Sequence, residues 1–202
     1  MARYPRAKWQ PSEIQHPNRR ITLGITIHNT YGREAGDVAT LDGPTVDCHF
    51  YVAKDGDTYQ FLDTASAAWT AKATANATCV QIETEGKRSE PWTPAQLASV
   101  AELCAWLCKL YDIPIRKVDP TSSTDLASFR GLFGHADLAG IDGNDHTDTV
   151  PDATGWPRFL AAVKESSRPR LTLAQRLRRA GLGPNSIRAV QRALREARRT
   201  RV

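Results

Sequence analysis

Residues 21–27 read Ile-Thr-Leu-Gly-Ile-Thr-Ile and alternate strictly between large apolar side chains and small or polar ones. A period of two over this length predicts a β-strand that buries one face in a hydrophobic core. His28 follows the strand at once, so an imidazole stands at the end of a core strand, where it can face a cleft. A lone histidine in such a place usually bonds to nearby backbone, so a functional role requires partners from elsewhere in the chain.

Candidate partners for His28 lie far downstream. The short apolar segment 131–135 ends in His135, and Asp148 follows within residues 137–155, a stretch with almost no apolar side chain. A long stretch without regular structure inside a compact domain is usually functional. Two distant histidines and a carboxylate can form a three-ligand site with one open position, which is how proteins hold catalytic zinc.

Two further strand patterns lie between these candidates. Residues 48–62 predict a β-hairpin around an Asp-Gly turn. Residues 79–86 predict another strand, whose polar positions share one side: Gln81, Glu83 and Glu85. Acidic side chains on a central strand are expected to be solvated, paired or lining a site.

One helix is predicted from both its start and its end. Thr93 as N-cap, Pro94 at the first helical position and Gln96 two residues later predict a helix start with a capping box. An apolar stripe continues the helix until Pro114 stops it. We expect this helix to pack on the sheet.

The remaining parts of the body are interpreted as extended or loop segments: 1–20, 65–78 and 119–128. Trp69 is the large residue in the second of these, either as a lid on the core or as a wall of a binding groove. The four cysteines lack the spacing of a metal site, and they favour small buried thiols over a disulfide framework.

The net charge of +5 conceals an asymmetry along the chain. Residues 168–202 contain eleven arginines and one acid, whereas residues 1–167 are acidic overall. We therefore predict an acidic catalytic domain, 1–167, and an arginine-rich extension, 168–202, that forms a small hairpin of two helices, 171–180 and 186–199. The arginines indicate either a solvated surface or binding to an anionic polymer.

No run approaches the roughly 20 apolar residues that a membrane helix needs. The first residues have no apolar segment of the kind that secretory signals carry, so we expect synthesis in the cytoplasm without such a signal.

Four motifs, in order, resemble the zinc-dependent N-acetylmuramoyl-L-alanine amidase family (the Amidase_2, or peptidoglycan-recognition-protein-like, fold), phage endolysins in particular. They are the strand ending in His28-Asn29-Thr30, the hairpin Cys48-His49-Phe50-Tyr51-Val52 with its Asp-Gly turn, the strand Val80-Gln81-Ile82-Glu83 in which Gln81 replaces a glycine, and Gly134-His135-Ala136-Asp137. The resemblance covers residues 20–163 and implies an α/β fold, with a central mixed β-sheet flanked by helices.

The resemblance also implies roles for individual residues. His28 and His135 correspond to zinc ligands and Glu83 to the catalytic glutamate. Asp148 corresponds to the third ligand, and His146 stands where the family commonly has a lysine facing the developing oxyanion. The family's Pro-Gly after the third ligand is absent, so Asp152 is the alternative third ligand, followed by Asp137 and Asp145. Substrate-binding residues are expected at three positions of the groove: Asn29, Trp69 and Thr70.

The function implied is a peptidoglycan hydrolase with one Zn²⁺ per chain that cuts between N-acetylmuramic acid and L-alanine. We expect a monomer that acts on the bacterial cell wall during phage-mediated lysis, with the arginines holding it to an anionic wall or membrane surface. A non-catalytic peptidoglycan-binding protein on the same fold is the alternative. Nucleic-acid binding by the arginine-rich extension is a third hypothesis, and it is not expected because no aromatic residues are interleaved with the arginines.

Overall fold

The structure, a computed structural model, describes residues 2–14, 16–169 and 172–199. The chain divides into two compact units, Met1–Ser167 and Arg168–Val202. The first unit is built on one sheet, and the second is a pair of helices.

The sheet of the first unit has six strands: β1 (Lys8–Trp9), β2 (Gly24–Ile27), β3 (Phe50–Val52), β4 (Thr58–Gln60), β5 (Cys79–Thr84) and β6 (Gly131–Gly134). Their order across the sheet is β1-β4-β3-β5-β2-β6. Strands β3, β5, β2 and β6 run parallel to one another, and β4 is antiparallel to β3, as the hairpin pattern predicts. The short β1, part of the lead-in, pairs with β4. The predicted mixed central sheet is confirmed.

Helices cover both faces of this sheet: α1 (Glu34–Leu41), α2 (Ala73–Thr78), α3 (Pro94–Tyr111), α4 (Ser123–Leu126) and α5 (Trp156–Ser167). The long helices α3 and α5 pack over one face, where Ile27 and Ile82 join the main hydrophobic core. Cys104 and Cys108 lie in this core as free, buried thiols, as predicted. The short helices belong to smaller clusters on the opposite face. That face carries the candidate site.

Helix α3 begins as predicted but without a complete capping box. The side chain of Thr93 accepts a hydrogen bond from the backbone N–H of Gln96 (3.0 Å), and Pro94 occupies the first turn. The predicted second bond of the capping box, from the Gln96 side chain back to Thr93, is wrong. The Gln96 side chain instead donates to the carbonyls of Val52 (3.1 Å) and Glu85 (3.0 Å). Gln96 therefore joins the helix to the sheet rather than closing the helix on itself.

Two segments interpreted as loops, 65–78 and 119–128, each contain a short helix, α2 and α4. Both are fixed by a side chain from a distant part of the chain. The carboxylate of Asp142 accepts a hydrogen bond from the backbone N–H of Thr74 (2.9 Å) and another from the Ser123 hydroxyl (2.6 Å). Such short helices depend on tertiary contacts, which a local pattern does not reveal.

The second unit contains α6 (Leu173–Arg179) and α7 (Pro184–Arg199). Thr172 and Gln175 form a capping box: the Thr172 hydroxyl accepts from Gln175 N–H (3.2 Å), and the side-chain oxygen of Gln175, Oε1, accepts from Thr172 N–H (2.8 Å). Gly181, with φ of 82°, lets the chain turn between the helices. Residue 171, where the first helix was predicted to begin, lies outside the described residues. Across the described parts of both units, no helix has the length and apolarity needed to cross a bilayer.

Candidate metal centre

The sheet brings three predicted site residues to one edge. Strands β5, β2 and β6 are parallel neighbours, so their carboxyl ends lie together, the usual place for a site in such sheets. Ile27, the last residue of β2, pairs with a residue of β5 on one side and of β6 on the other. The next residues of the three strands, His28, Glu83 and His135, are therefore side by side on the face opposite the main core.

His28, His135 and Asp148 converge through three donor groups. The Nδ1 atoms of His28 and His135 are 3.0 Å apart. One oxygen of Asp148 lies 3.1 Å from His28 Nδ1, and its other oxygen lies 3.2 Å from His135 Nδ1. All three residues are buried.

Asp148 reaches this position because the loop that carries it is tied to the ends of β2 and β6. Its carbonyl accepts a hydrogen bond from Ala136 N–H (2.8 Å), and the N–H of Thr149 donates to the side-chain oxygen of Asn29 (3.2 Å). A Cβ on Gly134 would lie 1.7 Å from Thr149 Oγ1. Only glycine at position 134 lets the loop approach the strand this closely.

The alternative aspartates have other partners or positions. Asp152 is exposed and pairs with Arg88, with Oδ1 3.0 Å from Nε. Asp137 accepts a hydrogen bond from a backbone N–H of β6 and pairs with Lys117 (3.1 Å). Asp145 lines the cleft described below. Among the described residues, none of the three joins the cluster of donor atoms.

The donor set fits zinc. Tetrahedral zinc with bonds of ~2.0–2.1 Å to nitrogen and oxygen separates its ligand atoms by about 3.3 Å, close to the distances seen here. The second ring nitrogen of His28, Nε2, lies 2.9 Å from the side-chain oxygen of Gln81. An oxygen acceptor at Nε2 holds the proton there and leaves the lone pair of Nδ1 facing the cluster.

The charges of the cluster stabilise one another. Burial opposes protonation of His28, but the negative charges of Glu83 and Asp148 raise its pKa to about 9. Burial also opposes ionisation of Asp148, yet its hydrogen bonds to His135 and His28 keep the pKa of the carboxyl well below its usual range. Without a metal, the protonated imidazole of His28 and the ionised carboxylate of Asp148 therefore stabilise each other.

Glu83 is the second carboxylate of the site. Its Oε1 is 3.9 Å from His28 Nδ1, and its Oε2 is buried without a hydrogen-bond partner in the described structure. Burial raises the pKa of Glu83 to about 7, with His28 opposing the rise. A carboxylate with a pKa near neutrality is suited to take up and release a proton.

His146 covers the cluster from the solvent side. Its side chain is 51% exposed, its ring stacks on that of His135, and its Nδ1 lies 3.5 Å from Asp148 Oδ1. His146 therefore borders the donor group without belonging to it.

An open cleft of about 570 Å³ gives access to these groups. Two of the predicted substrate-binding residues, Asn29 and Thr70, line it together with Glu83, His135 and His146. Asn29 is also structural, since it anchors Thr149. Trp69 is 63% exposed and is not among the residues that line the cleft.

Sequence reasoning missed two residues of the site. The sequence shows Gln81 as a polar residue on the Glu83 side of its strand and as the replacement of a motif glycine, but its contact with His28 depends on the pairing of β5 with β2. Tyr31 lines the cleft, is 50% exposed and has φ of 61°. Positive φ is uncommon outside glycine, and no signal in the sequence indicates it here.

Several solved structures share this fold. The structure of the Staphylococcus aureus hydrolase AmiA in complex with its ligand matches with a TM-score of 0.58 and 13% identity over 82% of this chain and 85% of that chain. The N-acetylmuramoyl-L-alanine amidase LysC from Clostridium intestinale matches with a TM-score of 0.53 and 19% identity, over 78% and 97%. A mutant of PlyL matches with 0.59 and 16%, over 78% and 98%. No curated protein sequence matches the chain.

The sequence itself gives the family. Residues 17–151 match the family model Amidase_2, described as N-acetylmuramoyl-L-alanine amidase. The chain therefore belongs to the N-acetylmuramoyl-L-alanine amidase family, a family of peptidoglycan-cleaving enzymes, and the resemblance seen in its motifs is confirmed.

Proposed function

We propose that this chain is a zinc-dependent hydrolase that cuts the amide bond between N-acetylmuramic acid and the L-alanine of the stem peptide. The observation that carries the proposal is the convergence of His28, His135 and Asp148 beside Glu83 at the floor of an open cleft. These three residues would hold one Zn²⁺ per chain. Bound there, zinc supplies a Lewis acid that polarises the scissile carbonyl and makes water acidic enough to attack near neutral pH.

The protein's own groups complete the reaction. Glu83 accepts a proton from the attacking water and passes it to the leaving amine of L-alanine, which its pKa of about 7 suits it to do. His146 faces the cleft from the solvent side and donates a hydrogen bond to the oxygen that becomes negative in the transition state. Asn29 and Thr70 border the substrate, and Trp69 contacts the glycan beyond the cleft.

Hydrolysis of purified peptidoglycan, with zinc measured on each protein, tests this assignment. Glu83→Gln is expected to keep about one zinc per chain and lose at least ~10²-fold in rate, since general base catalysis contributes 10²–10⁴-fold. Asp148→Ala is expected to lose both zinc and activity. Asp152→Ala is the matched control, because it removes a carboxylate from the same loop that pairs with Arg88 on the surface.

Two results would contradict the proposal. Retention of zinc by Asp148→Ala with loss of zinc from Asp152→Ala would exchange the two aspartates. A wild-type protein that binds peptidoglycan but holds no zinc and releases no stem peptide would instead make the chain a non-catalytic binding protein.

For the second unit, we propose a role in holding the enzyme, as a monomer, at an anionic wall or membrane surface during phage-mediated lysis. Arg188, Arg192 and Arg195 are exposed and recur at intervals of four and three, which places them on one face of α7. Such a row attracts phosphate-bearing polymers or lipids over a range that salt shortens.

Binding measured against salt concentration tests this role. Changing Arg188, Arg192 and Arg195 to glutamine is expected to weaken binding to purified cell walls or to anionic phospholipid vesicles, and the pair of targets separates wall from membrane. A control protein loses the same charge from exposed lysines of the first unit: Lys72, Lys109 and Lys164. Equal binding by both variants would contradict the role, and a loss confined to DNA binding would favour the nucleic-acid hypothesis.

A further inference from the structure

Gln81 is a buried polar residue of the site to which the reaction above assigns no role. It lies in β5, fully buried, two residues before Glu83 and on the same side of the strand. The register pairs it with Thr26 of β2, so its side chain lies beside that of His28.

The orientation of the Gln81 amide is fixed by its neighbours. Its Nε2 donates to the carbonyl of Ala75 in α2 (2.9 Å) and lies 3.5 Å from the carbonyl of Cys79. Both carbonyls can only accept, so the nitrogen must be on their side. The amide oxygen of Gln81 consequently faces His28 and lies 2.9 Å from the Nε2 atom of His28.

This oxygen can only accept, so His28 must donate through Nε2. With the proton held on Nε2, the Nδ1 of His28 presents its lone pair to the point where the donor atoms of His135 and Asp148 converge. The Nε2 of His135, in contrast, is buried and has no hydrogen-bond partner in the described part of the structure. One histidine of the centre is thus oriented by a side chain anchored in α2, and the other is held through its backbone and its metal-facing nitrogen.

We infer that Gln81 is a positioning residue of the metal centre, which fixes the tautomer and ring orientation of His28 and thereby raises zinc affinity. The inference rests on the proposed zinc site. Partners that orient a ligating histidine typically change metal affinity by 10- to 100-fold. Because Gln81 does not touch the cleft, its removal acts on metal binding before it acts on catalysis.

The test compares Gln81→Met with Gln96→Met. Methionine keeps the length of glutamine without its amide. Gln96 is also a fully buried glutamine that donates to two carbonyls, but it lies in α3, on the opposite face of the sheet from His28. Zinc affinity is measured by competition with a chromophoric chelator. The expected result is a 10- to 100-fold loss for Gln81→Met and a loss of less than about threefold for Gln96→Met. Equal affinities for wild type and Gln81→Met would overturn the inference.

A second measurement needs no variant. Nitrogen-detected NMR of the zinc-loaded wild type is expected to show His28 metallated through Nδ1, with a slowly exchanging proton on Nε2. Metallation through Nε2 would overturn the inference even if Gln81→Met failed to fold. Peptidoglycan hydrolysis is scored separately: a protein whose zinc affinity depends on Gln81 but which cleaves nothing keeps this inference and loses the proposed function, and the reverse outcome does the opposite.

Discussion

The ring of His146 lies parallel to the ring of His135, with 4.2 Å between their centroids and 16° between their planes. One histidine is buried among the metal-facing donors, and the other is half exposed at the mouth of the cleft. This stacking fixes the position of the His146 ring above the cluster. A hydrogen-bond donor held there can reach a substrate oxygen bound at the cluster.

Removing the upper ring is therefore expected to reduce turnover without releasing the metal. We expect His146→Ala to lower kcat by ~10–10²-fold, less than the ~10²–10³-fold typical of a buried oxyanion donor, because this side chain is exposed. His146→Lys keeps a donor and is expected to recover part of the rate. His16→Ala is the control, since His16 bonds to Asp47 and is not among the residues lining the cleft. A large loss of zinc from His146→Ala would show that the residue is a ligand instead.

Gly134 controls whether Asp148 can reach the two histidines. A Cβ at this position would overlap Thr149, so Gly134→Ala must displace the loop and is expected to cost about 1–3 kcal/mol of unfolding free energy as well as zinc affinity. In α1, Gly36 has open space around its Cβ position, and Gly36→Ala is expected to be neutral or stabilising by up to about 1 kcal/mol. Chemical denaturation and chelator competition check both. Unchanged zinc affinity in Gly134→Ala would mean that the loop position does not matter for the metal.

His49 is expected to make stability depend on pH below neutrality. Burial, reinforced by the charge of Arg19, lowers the pKa of His49 well below its usual range, so the folded protein keeps it neutral while the unfolded chain binds a proton below pH ~6.5. The unfolding free energy is therefore full above pH ~6.5 and falls as pH decreases, by up to about 1.4 kcal/mol per pH unit from this group. Denaturation of zinc-loaded wild type and His49→Gln between pH 7 and pH 5 checks this. Identical slopes for the two proteins would contradict it.

Tyr31 is expected to lower the free energy of unfolding and to strengthen substrate binding. Its left-handed backbone costs a non-glycine residue about 1–2 kcal/mol, and its exposed ring borders the cleft. We expect Tyr31→Gly to be neutral or up to about 1 kcal/mol more stable, with a higher KM for peptidoglycan. Tyr31→Phe should keep the KM of wild type because the ring remains. A Tyr31→Gly protein with unchanged KM would show that the ring does not contact substrate.

The parts of the fold that could be predicted are those with a local cause. The strand ending in His28 and the helix from Pro94 to Tyr111 follow from alternation, an N-cap and an apolar stripe. Helices α2 and α4 could not be predicted, because Asp142, far away in sequence, binds both. The same holds for the strand order, since parallel pairing depends on contacts between distant segments.

The site divides in the same way. His28, His135 and Glu83 are recognisable because each lies next to the end of a strand that carries a family motif. Asp148 lies in a segment without regular structure, so spacing alone left Asp152 open, and the loop's bonds to Ala136 and Asn29 are what set it beside the histidines. Gln81 stands out in the sequence only as a departure from a family motif, and its contact with His28 is defined only once β5 pairs with β2.

The spacing of the donors along the chain has a consequence for biosynthesis. His28 is separated from His135 by 107 residues and from Asp148 by 120. A nascent chain therefore offers one donor through most of its elongation, two once residue 135 has left the ribosome, and three only when Asp148 follows. The full set of donors thus exists only after the strands of the sheet have been synthesised, and chains that terminate before residue 148 lack it.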